Sequence, residues 1–549
     1  MIPALSIALC ASAFAAPQDA ALSTISGASM LKQITRLASD EFEGRGPATH
    51  GETVTINYLE QEFKKLGLAP GNPDGSYFQR VPLMGVTSTP ALSYSGKGKA
   101  TALTFQEDYV ARSWLLQASV DVKNSELVFV GYGVQAPEFN WDDYKGMDLR
   151  GKTLVMLIND PQVMDPKHPD KLDNATFGGA AMTYYGRWTY KYEIAKKMGA
   201  AAALIIHETK PAAYPWAVVR TGAVNEGFVI KTDKDDPGNP TVSGWIQLNR
   251  AKEMLAAAGY DFDALKAASS RRDFKPVALG LTMDITVKNS WREVPSNNVV
   301  AKIEGSDPRL KDDYVIYSAH WDHFGMDEKL PGPRTRQIYH GAQDNASGVA
   351  AVLELAKAYK ALPQAPKRSV LFLVPTAEER GLLGAYYYAA NPLYPLARTT
   401  IDINMDMMNV LGKTRDVAVS GFGRSNTDDW VAKVAKTQGR HVVSANAEAG
   451  LYFRSDHFPF AKQGVPVLYI ETGEEYIGKP KAFKKQKNDE YQSRIYHKVD
   501  DVVNPHWDMS GAVQEVQLLF QVGYDAAQGN YTPAWKAGAE FKALRDAMK

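Results

Sequence analysis

The second half of the chain alternates apolar segments of strand length with amphipathic segments of helix length. The clearest helical segment, SGVAAVLELAKAYKAL, repeats its apolar residues every three to four positions. The apolar segments around it, from Asn297 onward, are NVVAKIEG, YVIYSAH, SVLFLVPTAEE, TIDINMD and VPVLYIE. Strands that alternate with helices are typical of a largely parallel sheet with both faces covered. The pattern therefore predicts an α/β domain.

The first half changes its pattern near Glu126. Before that point, MLKQITRLASDEF and TVTINYLEQEFKKLG have helical patterns, separated by a break at residues 44–47. After it come short apolar segments between turns, ending near MDITVKNSW: ELVFVGYG, LVMLIND, AAALIIH and GWIQL. These segments predict a mostly β module. We therefore predict the N-terminal part of the α/β domain in residues 24–125, an inserted module in 126–290 and the main α/β part in 291–549.

Residues 1–16 are typical of a signal peptide. The apolar segment IPALSIALCASAFAAPQDA ends in small residues, and AFA is a candidate cleavage box. It lacks the Lys or Arg that usually precedes such a segment, so a buried N-terminal helix is the alternative. The chain's one cysteine, Cys10, lies inside it, and Leu9 is too large for a lipoprotein box. We expect export to the periplasm or the cell exterior, and no stretch elsewhere approaches the ~20 apolar residues that span a bilayer.

Composition and charge indicate a soluble globular protein without a nucleic-acid partner. The chain has 549 residues, of which 45% are hydrophobic and 23% charged, and this length favours two or three domains. The formal net charge is zero, with no basic face or acidic run. Nucleic acids and anionic membranes therefore have no electrostatic attraction to this chain. The sequence leaves the oligomeric state open.

Acidic and imidazole residues follow several of the predicted strands. They are His320 and Asp322 in VIYSAHWDHFG, Asp344 in GAQDNASGVA, Glu378 and Glu379 in SVLFLVPTAEE, Asp406 in IDINMDMMN, and His497 in SRIYHKVDD. The carboxyl ends of parallel strands form the ligand-binding crevice of such a sheet. Nitrogen and oxygen donors without a thiolate suit Zn²⁺, with Mn²⁺ or Co²⁺ as substitutes. One bridging carboxylate would hold two ions ~3.5–4 Å apart.

Each piece also has an ordinary structural interpretation. A His-x-Asp pair is common on surfaces, adjacent glutamates often begin a helix, and Asp344 could be a helix cap. All of them together at strand ends in one half of the chain favour a metal site. One of the paired glutamates would then bind metal, while its neighbour stays free to take a proton from water.

These motifs resemble the co-catalytic di-zinc aminopeptidases, which share their fold with the glutamate carboxypeptidases. The family pattern is His-x-Asp, Asp-Asn-x-x-Gly, Glu-Glu-x-Gly-x-x-Gly, Asp and His, and this chain has HWD, DNASG, EERGLLG, MDM and YH in that order. The resemblance runs from Asn297 to about Ala526. It implies a three-layer sandwich around a mixed, mainly parallel sheet. The module at residues 126–290 looks like a protease-associated domain that covers part of the cleft.

The resemblance also implies a role for each residue. Asp344 would bridge two zinc ions. The remaining metal ligands would be His320 and Asp406 on one ion, and Glu379 and His497 on the other. The catalytic residues would be Glu378 as general base, Asp322 as the partner that orients His320, and Tyr496 as a stabiliser of the oxyanion, unless that tyrosine only packs. Asp501 or its neighbour Asp500 would orient His497.

Three further segments are given no catalytic role. Asp456 and His457 in FRSDHFPF are predicted to be structural or pocket-lining. His340 is predicted to be a loop residue, with a place at the cleft border as the alternative. The segment SDEFEGRG near residue 43 is interpreted as a capped connection.

The resemblance implies an exported zinc aminopeptidase that acts on peptide substrates. A carboxypeptidase or dipeptidase of the same fold is the first alternative, and it would need a cation such as Arg454 to hold a terminal carboxylate. A glutaminyl cyclase keeps one zinc, and a metal-free receptor-like protein has lost its ligands. The complete set of five ligands argues against both of these.

Overall fold

The computed structural model describes residues 17–232 and 238–548. The predicted signal peptide, residues 1–16, lies outside the described residues, and so does Cys10. Within the described ranges no helix has the length and apolar character that crossing a bilayer requires.

The strands and helices are numbered in chain order. The strands are β1 (Ala69–Pro70), β2 (Phe78–Val81), β3 (Leu83–Gly96), β4 (Lys99–Ala102), β5 (Tyr109–Arg112), β6 (Ser119–Phe129), β7 (Gln135–Ala136), β8 (Trp141–Asp142), β9 (Thr153–Leu157), β10 (Met164–Asp165), β11 (His168–Leu172), β12 (Ala202–His207), β13 (Gly227–Ile230), β14 (Val242–Gln247), β15 (Val277–Glu293), β16 (Ser296–Ile303), β17 (Tyr314–Ser318), β18 (Gly325–Met326), β19 (Ile338–Tyr339), β20 (Ser369–Val374), β21 (Thr399–Asn404), β22 (Asp416–Val419), β23 (His441–Ser444) and β24 (Val467–Thr472). The helices are α1 (Pro17–Ser23), α2 (Gly27–Leu37), α3 (His50–Lys65), α4 (Trp188–Lys197), α5 (Thr209–Ala212), α6 (Trp216–Val224), α7 (Leu248–Ala257), α8 (Phe262–Ser269), α9 (Ser347–Lys360), α10 (Leu383–Ala390), α11 (Thr427–Thr437), α12 (His457–Lys462), α13 (Phe483–Arg494), α14 (Ser510–Gln528) and α15 (Lys542–Ala547).

The first large sheet is mixed and mainly parallel. Its nine strands run in the order β1-β16-β20-β17-β21-β24-β22-β23, with β2 paired to β16. The central strands β20, β17, β21 and β24 are parallel to their neighbours in this set, whereas β16 pairs antiparallel with β20 and β22 with β24. The predicted fold class, α/β around a mainly parallel sheet, is confirmed.

Helices cover both faces of this sheet. Alternate residues of β17 point to opposite faces, as the period of a strand requires. Val315 and Tyr317 pack in the core that includes α9 and α14, whereas Tyr314 and Ile316 pack in the core that includes α10 and α12. The result is helix, sheet and helix in three layers, which is why the central strands are apolar throughout rather than alternating.

The second large sheet occupies the chain between β2 and β16. Its nine strands run in the order β13-β3-β15-β6-β9-β12-β14-β5, with β4 paired to β3. The sheet begins at Leu83, earlier than the predicted module boundary at Glu126, because the antiparallel strands β3 and β15 pair over most of their length. The first four residues of LMGVTSTPALSYSG are buried, and the rest of the segment mixes buried and exposed residues. Its identity as a protease-associated domain stays a prediction.

The second sheet is inserted between two paired strands of the first. β2 ends at Val81, β16 begins at Ser296, and these two residues are partners in the antiparallel pair. The chain therefore leaves the α/β domain and returns to the same place.

Candidate metal centre

Three neighbouring parallel strands deliver side chains to one edge of the first sheet. In the order β20-β17-β21, they end just before Glu378, His320 and Asp406. Asp344 reaches the same edge from the turn that opens α9, and His497 from the loop after α13. The carboxyl edge of a parallel sheet thus gathers residues that are far apart in the sequence.

Asp344 lies between two histidines and offers one oxygen to each. Its Oδ1 is 3.4 Å from His320 Nε2, and its Oδ2 is 3.3 Å from His497 Nε2. Asp406 Oδ1 is 3.4 Å from His320 Nε2, and Glu379 Oε2 is 3.1 Å from His497 Nε2. The five predicted metal ligands therefore form two groups that share Asp344.

These spacings fit zinc. With ligand bonds of ~2.0–2.1 Å in a tetrahedron, neighbouring ligand atoms lie ~3.3 Å apart. His320 Nε2 and Asp406 Oδ1 are also buried without a hydrogen-bond partner in the structure. Buried polar atoms normally have partners, so an ion that both atoms contact accounts for their arrangement.

Glu378 lies at the edge of the first group. Its Oε2 is 3.9 Å from His320 Nε2, farther than the oxygens of Asp344 and Asp406. By distance alone, Glu378 could join His320 and Asp406 around an ion. Because this distance is longer, Glu378 has the weakest contact with His320 among these three carboxylates.

The two adjacent glutamates differ in acidity. Burial raises the pKa of Glu378 well above its usual range, and the nearby charges of Glu379 and Asp406 raise it further. Burial also favours the protonated form of Glu379, but His497 and His323 outweigh it and lower that pKa to about 2. Neighbouring carboxyls whose environments separate their pKa values suit different roles, one as proton carrier and one as permanent anion.

His323 belongs to the centre and was missed by sequence reasoning. Its Nδ1 is 2.6 Å from Glu379 Oε1, its Nε2 is buried without a partner, and it could share an ion with Asp344 and Glu379. The segment HWDHFG contained the relevant pattern, a second histidine three residues after His320. The family pattern stops at His-x-Asp and includes no residue at the position of His323.

The Asp322 carboxylate contacts the backbone of the two glutamates more closely than it contacts the His320 ring. Its carboxylate accepts hydrogen bonds from the backbone N–H groups of Glu378, at 3.0 Å, and Glu379, at 3.4 Å. His320 Nδ1 is 3.1 Å from the main-chain carbonyl of Asp322 and 3.8 Å from its carboxylate. Burial raises the pKa of Asp322 to about 6. The contact that can orient His320 is thus made by the main-chain carbonyl of Asp322 and not by its carboxylate.

Asp501 likewise holds the backbone of the bridging aspartate. It accepts hydrogen bonds from the N–H groups of Gln343, at 2.9 Å, and Asp344, at 3.0 Å. Burial raises its pKa to about 6. Asp500, the other residue considered for this role, instead pairs with Arg336 at 2.9 Å on the surface.

A buried arginine from the first third of the chain lies behind the centre. Arg45 is 1% exposed and donates to four backbone carbonyls, those of Leu37, Trp321, His340 and Gly341. Burial lowers its pKa to about 10, although Asp501, Asp344 and other carboxylates oppose this shift. The segment SDEFEGRG is thus more than a capped connection, since it places a positive charge beside the acidic cluster.

The segment around Ser455 supports Asp406. Ser455 Oγ donates to Asp406 Oδ2 at 2.8 Å and accepts from Asn404 Nδ2 at 2.7 Å. Asp456 is fully buried, and burial raises its pKa well above the usual range. Burial lowers the pKa of His457 to about 3, and its ring stacks on Tyr469 with centroids 4.8 Å apart.

Two other predicted residues lie at the rim of the centre or beyond it. The Tyr496 ring stacks on His497 with centroids 3.7 Å apart, and burial near the carboxylates raises its pKa well above the usual range. His340 bonds Asp40 through Nε2 at 2.8 Å and is not among the clustered ligands. His497 is 33% exposed, so the centre is open to solvent on that side.

Comparison with known proteins agrees with this geometry. Residues 298–521 match the model of Peptidase family M28. Aminopeptidase YwaD of Bacillus subtilis (strain 168) is 30% identical over 156 residues, 28% of this chain and 30% of that protein. Leupeptin-inactivating enzyme 1 of Streptomyces exfoliatus is 33% identical over 138 residues, 25% of this chain and 30% of that enzyme. The chain therefore spans about a third of the length of these curated relatives.

Alignments with solved structures cover most of this chain at low identity. The aminopeptidase from Aneurinibacillus sp. strain AM-1 has a TM-score of 0.49 and 19% identity, covering 93% of this chain and 96% of that one. A zinc aminopeptidase from Bacillus subtilis has a TM-score of 0.44 and 17% identity, covering 95% and 99%. The similarity to Peptidase family M28 rests on the domain model, which matches residues 298–521 of this chain.

Proposed function

We propose that the protein is a di-zinc aminopeptidase that removes N-terminal residues from peptides. The observation that carries this proposal is Asp344, whose two oxygens each face a different histidine at 3.3–3.4 Å. His320 and Asp406 would complete one zinc site, and Glu379 and His497 the other. A carboxylate shared in this way is typical of two-metal hydrolases.

Zinc bound in these groups would supply Lewis acidity, which polarises a carbonyl and lowers the pKa of water. Glu378 would take the proton of the attacking water, since it is beside the ligands and lies farther from His320 than Asp344 and Asp406 do. It would then deliver that proton to the leaving amine. The Asp322 carboxylate fixes the backbone of Glu378 for this role.

The names of the relatives support the proposed preference for the N-terminus. YwaD carries the name aminopeptidase, and a carboxypeptidase of the same fold is the alternative. We also propose that the protein is exported to the periplasm or the cell exterior, on the basis of residues 1–16. N-terminal sequencing of the mature protein from cell fractions would test this export.

The test of the proposed function is one peptide series with the zinc-loaded protein. The substrate Leu-Ala-Ala is supplied free, N-acetylated and C-amidated, and the products are identified by mass. Cleavage of the free and amidated forms, but not of the acetylated form, is expected. Loss of cleavage on amidation would instead support a carboxypeptidase. Zinc content measured on the same sample should be two ions per chain.

A further inference from the structure

The two adjacent glutamates lie on a tight turn, residues 376–384, which we call the glutamate turn. The turn closes on itself, because the N–H of Leu383 donates to the carbonyl of Ala377 at 3.0 Å. Ala377 and Leu382 have φ angles of 54° and 60°, a region that residues other than glycine rarely adopt. Such a backbone persists only where surrounding contacts hold it. The contacts of this turn therefore bear on both glutamates.

The polar contacts at the base of the turn come from the strand by which the chain returns from the inserted module. Asn298 of β16 accepts a hydrogen bond from the N–H of Thr376 at 3.0 Å and donates one to the carbonyl of Gly384 at 2.9 Å. The hydroxyl oxygens of Ser296 and Thr376 are 2.6 Å apart. Ser296 begins β16 and is the partner of Val81, where β2 ends. The turn is therefore anchored at the junction between the module and the α/β domain.

Apolar contacts join the same turn to the module. A small core at the junction contains Ala377 of the turn and Phe228 of β13, together with residues of the two crossing segments, which are Val81, Leu83 and Val294. Ala377 is fully buried, and Phe228 is 8% exposed. β13 belongs to the inserted sheet, where it pairs with β3. The module thus contributes an aromatic ring to the support of the glutamate turn.

Arg380, the residue after the two glutamates, contacts two aromatic rings. Its Cζ is 5.3 Å from the ring centroid of Phe228 and 5.4 Å from that of Phe324. Phe324 in turn contacts the proposed ligand His497, with ring centroids 4.7 Å apart. Arg380 Nε is buried without a hydrogen-bond partner in the part of the chain that the structure describes. Ring, guanidinium, ring and imidazole therefore form a continuous row of contacts from the module to the metal centre.

The faces of these rings attract the positive charge of Arg380. This attraction is stronger where water is excluded, and Arg380 is half-buried with its Nε fully out of solvent. The backbone of Arg380 belongs to the glutamate turn, so a contact that fixes its side chain also restrains the peptide unit next to Glu379. Packed groups in contact are the physical means by which one part of a protein restrains another.

We propose that Arg380 is a positioning residue through which the inserted module holds the glutamate turn in its active geometry. The inference rests on the proposed peptidase function and adds a role for the module, which supplies Phe228. Arg380 acts through the backbone of the turn and not by contact with the substrate. Loss of its contact with the module should therefore slow turnover without weakening substrate binding.

The kinetic test uses the zinc-loaded protein with Leu-Ala-Ala. Arg380→Gln and Phe228→Leu should each lower kcat about 10- to 100-fold with KM nearly unchanged, because misplaced catalytic groups slow the reaction by this much. Phe228→Tyr, which keeps the ring, should restore most of the rate, and Arg380→Lys, which keeps the charge, should restore part of it. Combining Arg380→Gln with Phe228→Leu should be no worse than the slower single variant, because both changes break the same contact.

Hydrogen exchange separates this inference from the proposed function. The N–H groups of Glu378 and Glu379 donate to the Asp322 carboxylate, so their exchange with deuterium reports how firmly the turn is held. In Arg380→Gln and Phe228→Leu, these amides should exchange about 2- to 30-fold faster, as expected for loss of one cation–π contact. Faster exchange in a protein that cleaves no peptide would contradict the proposed function and still support the link between module and turn.

The control is Arg272→Gln. Arg272 is an exposed residue of the module, and its Cζ is 5.4 Å from the ring centroid of Trp141, so the change removes a contact of the same kind and length. It should alter neither kcat nor exchange at the glutamate turn. Zinc content and thermal midpoint show that each variant is folded and loaded.

Two results would overturn the inference. A rise in KM confined to Arg380→Gln would mean that Arg380 binds the substrate directly. Wild-type kcat and wild-type exchange in Phe228→Leu would mean that the module does not hold the turn. Peptide cleavage by the wild type together with either result would leave the proposed peptidase function intact.

Discussion

Asp344 connects the two halves of the centre because each of its oxygens faces a different histidine. Its backbone N–H is in turn held by Asp501, so the carboxylate and its support both come from buried acids. Glu378 differs from it in having no histidine within 3.4 Å. In the proposed mechanism, Asp344 would therefore hold metal while Glu378 would move protons.

Glu378→Gln should lower kcat by about 10²–10⁴-fold while zinc content stays at two per chain, because the change removes the proton acceptor and keeps the shape. Asp344→Asn should lower both activity and zinc content, because one of the two bridging oxygens becomes an amide nitrogen. Kinetics and metal analysis of the same preparations check both variants. Near wild-type turnover in Glu378→Gln would remove the general-base assignment.

His323→Gln should lower the affinity for the zinc ion beside Glu379 by about 10- to 100-fold. Loss of a residue that orients a metal ligand typically has an effect of this size. The reason is the contact of 2.6 Å between His323 Nδ1 and Glu379 Oε1. Zinc affinity is measured by competition with a chelator. His340→Gln, at a histidine that bonds Asp40 instead, is the matched control. Unchanged affinity for both ions would show that His323 only packs.

At the scale of elements, the parallel strands β20, β17 and β21 do most of the positioning. Their apolar interiors are buried on both faces, so polar side chains on them stand out. Asp402 is such a case: it is fully buried within β21, accepts a hydrogen bond from Ser318 Oγ at 2.8 Å, and burial raises its pKa to about 8. The strand therefore carries a carboxyl that is mostly protonated at neutral pH.

Asp402→Asn should become more stable relative to the wild type as the pH rises from 5.5 to 7.5. The unfolded carboxyl has a pKa of ~3.9, so between that value and about 8 the folded state binds the extra proton. The free energy of unfolding of the wild type should then fall by up to ~1.4 kcal/mol per pH unit from this group. The variant lacks this slope. Denaturant unfolding at both pH values measures it, and parallel curves would contradict the raised pKa.

The strands and their acidic ends were predictable because a strand buried on both faces is a continuous apolar run. The segment SVLFLVPTAEE therefore predicted β20 and indicated that two glutamates follow its end. The start of the second sheet was not predictable in this way, since most of β3 mixes buried and exposed residues and so forms no continuous apolar run. His323, Arg45 and Ser455 were missed because their roles depend on contacts across the fold, which no local pattern records.

At the scale of the whole molecule, the inserted module and the α/β domain share one hydrophobic core. Tyr184 of the module packs on Phe458 of the α/β domain, with ring centroids 5.3 Å apart, and on Phe453 at 6.1 Å. Lys462 adds an ion pair with Glu193 across the same boundary. Large apolar interfaces of this kind hold domains in a fixed arrangement.

The wild type should therefore unfold in a single calorimetric transition. Phe458→Ala should cost about 3–5 kcal/mol, because the ring is 1% exposed and its loss leaves a cavity at the boundary. In that variant the module and the α/β domain should separate into two transitions. Scanning calorimetry follows both. Two transitions already in the wild type would show that the shared core does not couple the units.

The partnership of Val81 with Ser296 bears on the order of events during synthesis. Every residue of the second sheet leaves the ribosome before Ser296 does, and domains generally fold as they emerge. If the module closes first, its antiparallel strands β3 and β15 bring the two ends of the insertion together. The antiparallel pairing of β2 with β16 then requires only a short closure instead of a very long one, whose entropic cost grows with loop length. Folding of the module would thus help the α/β domain, which contains the candidate metal ligands, to form.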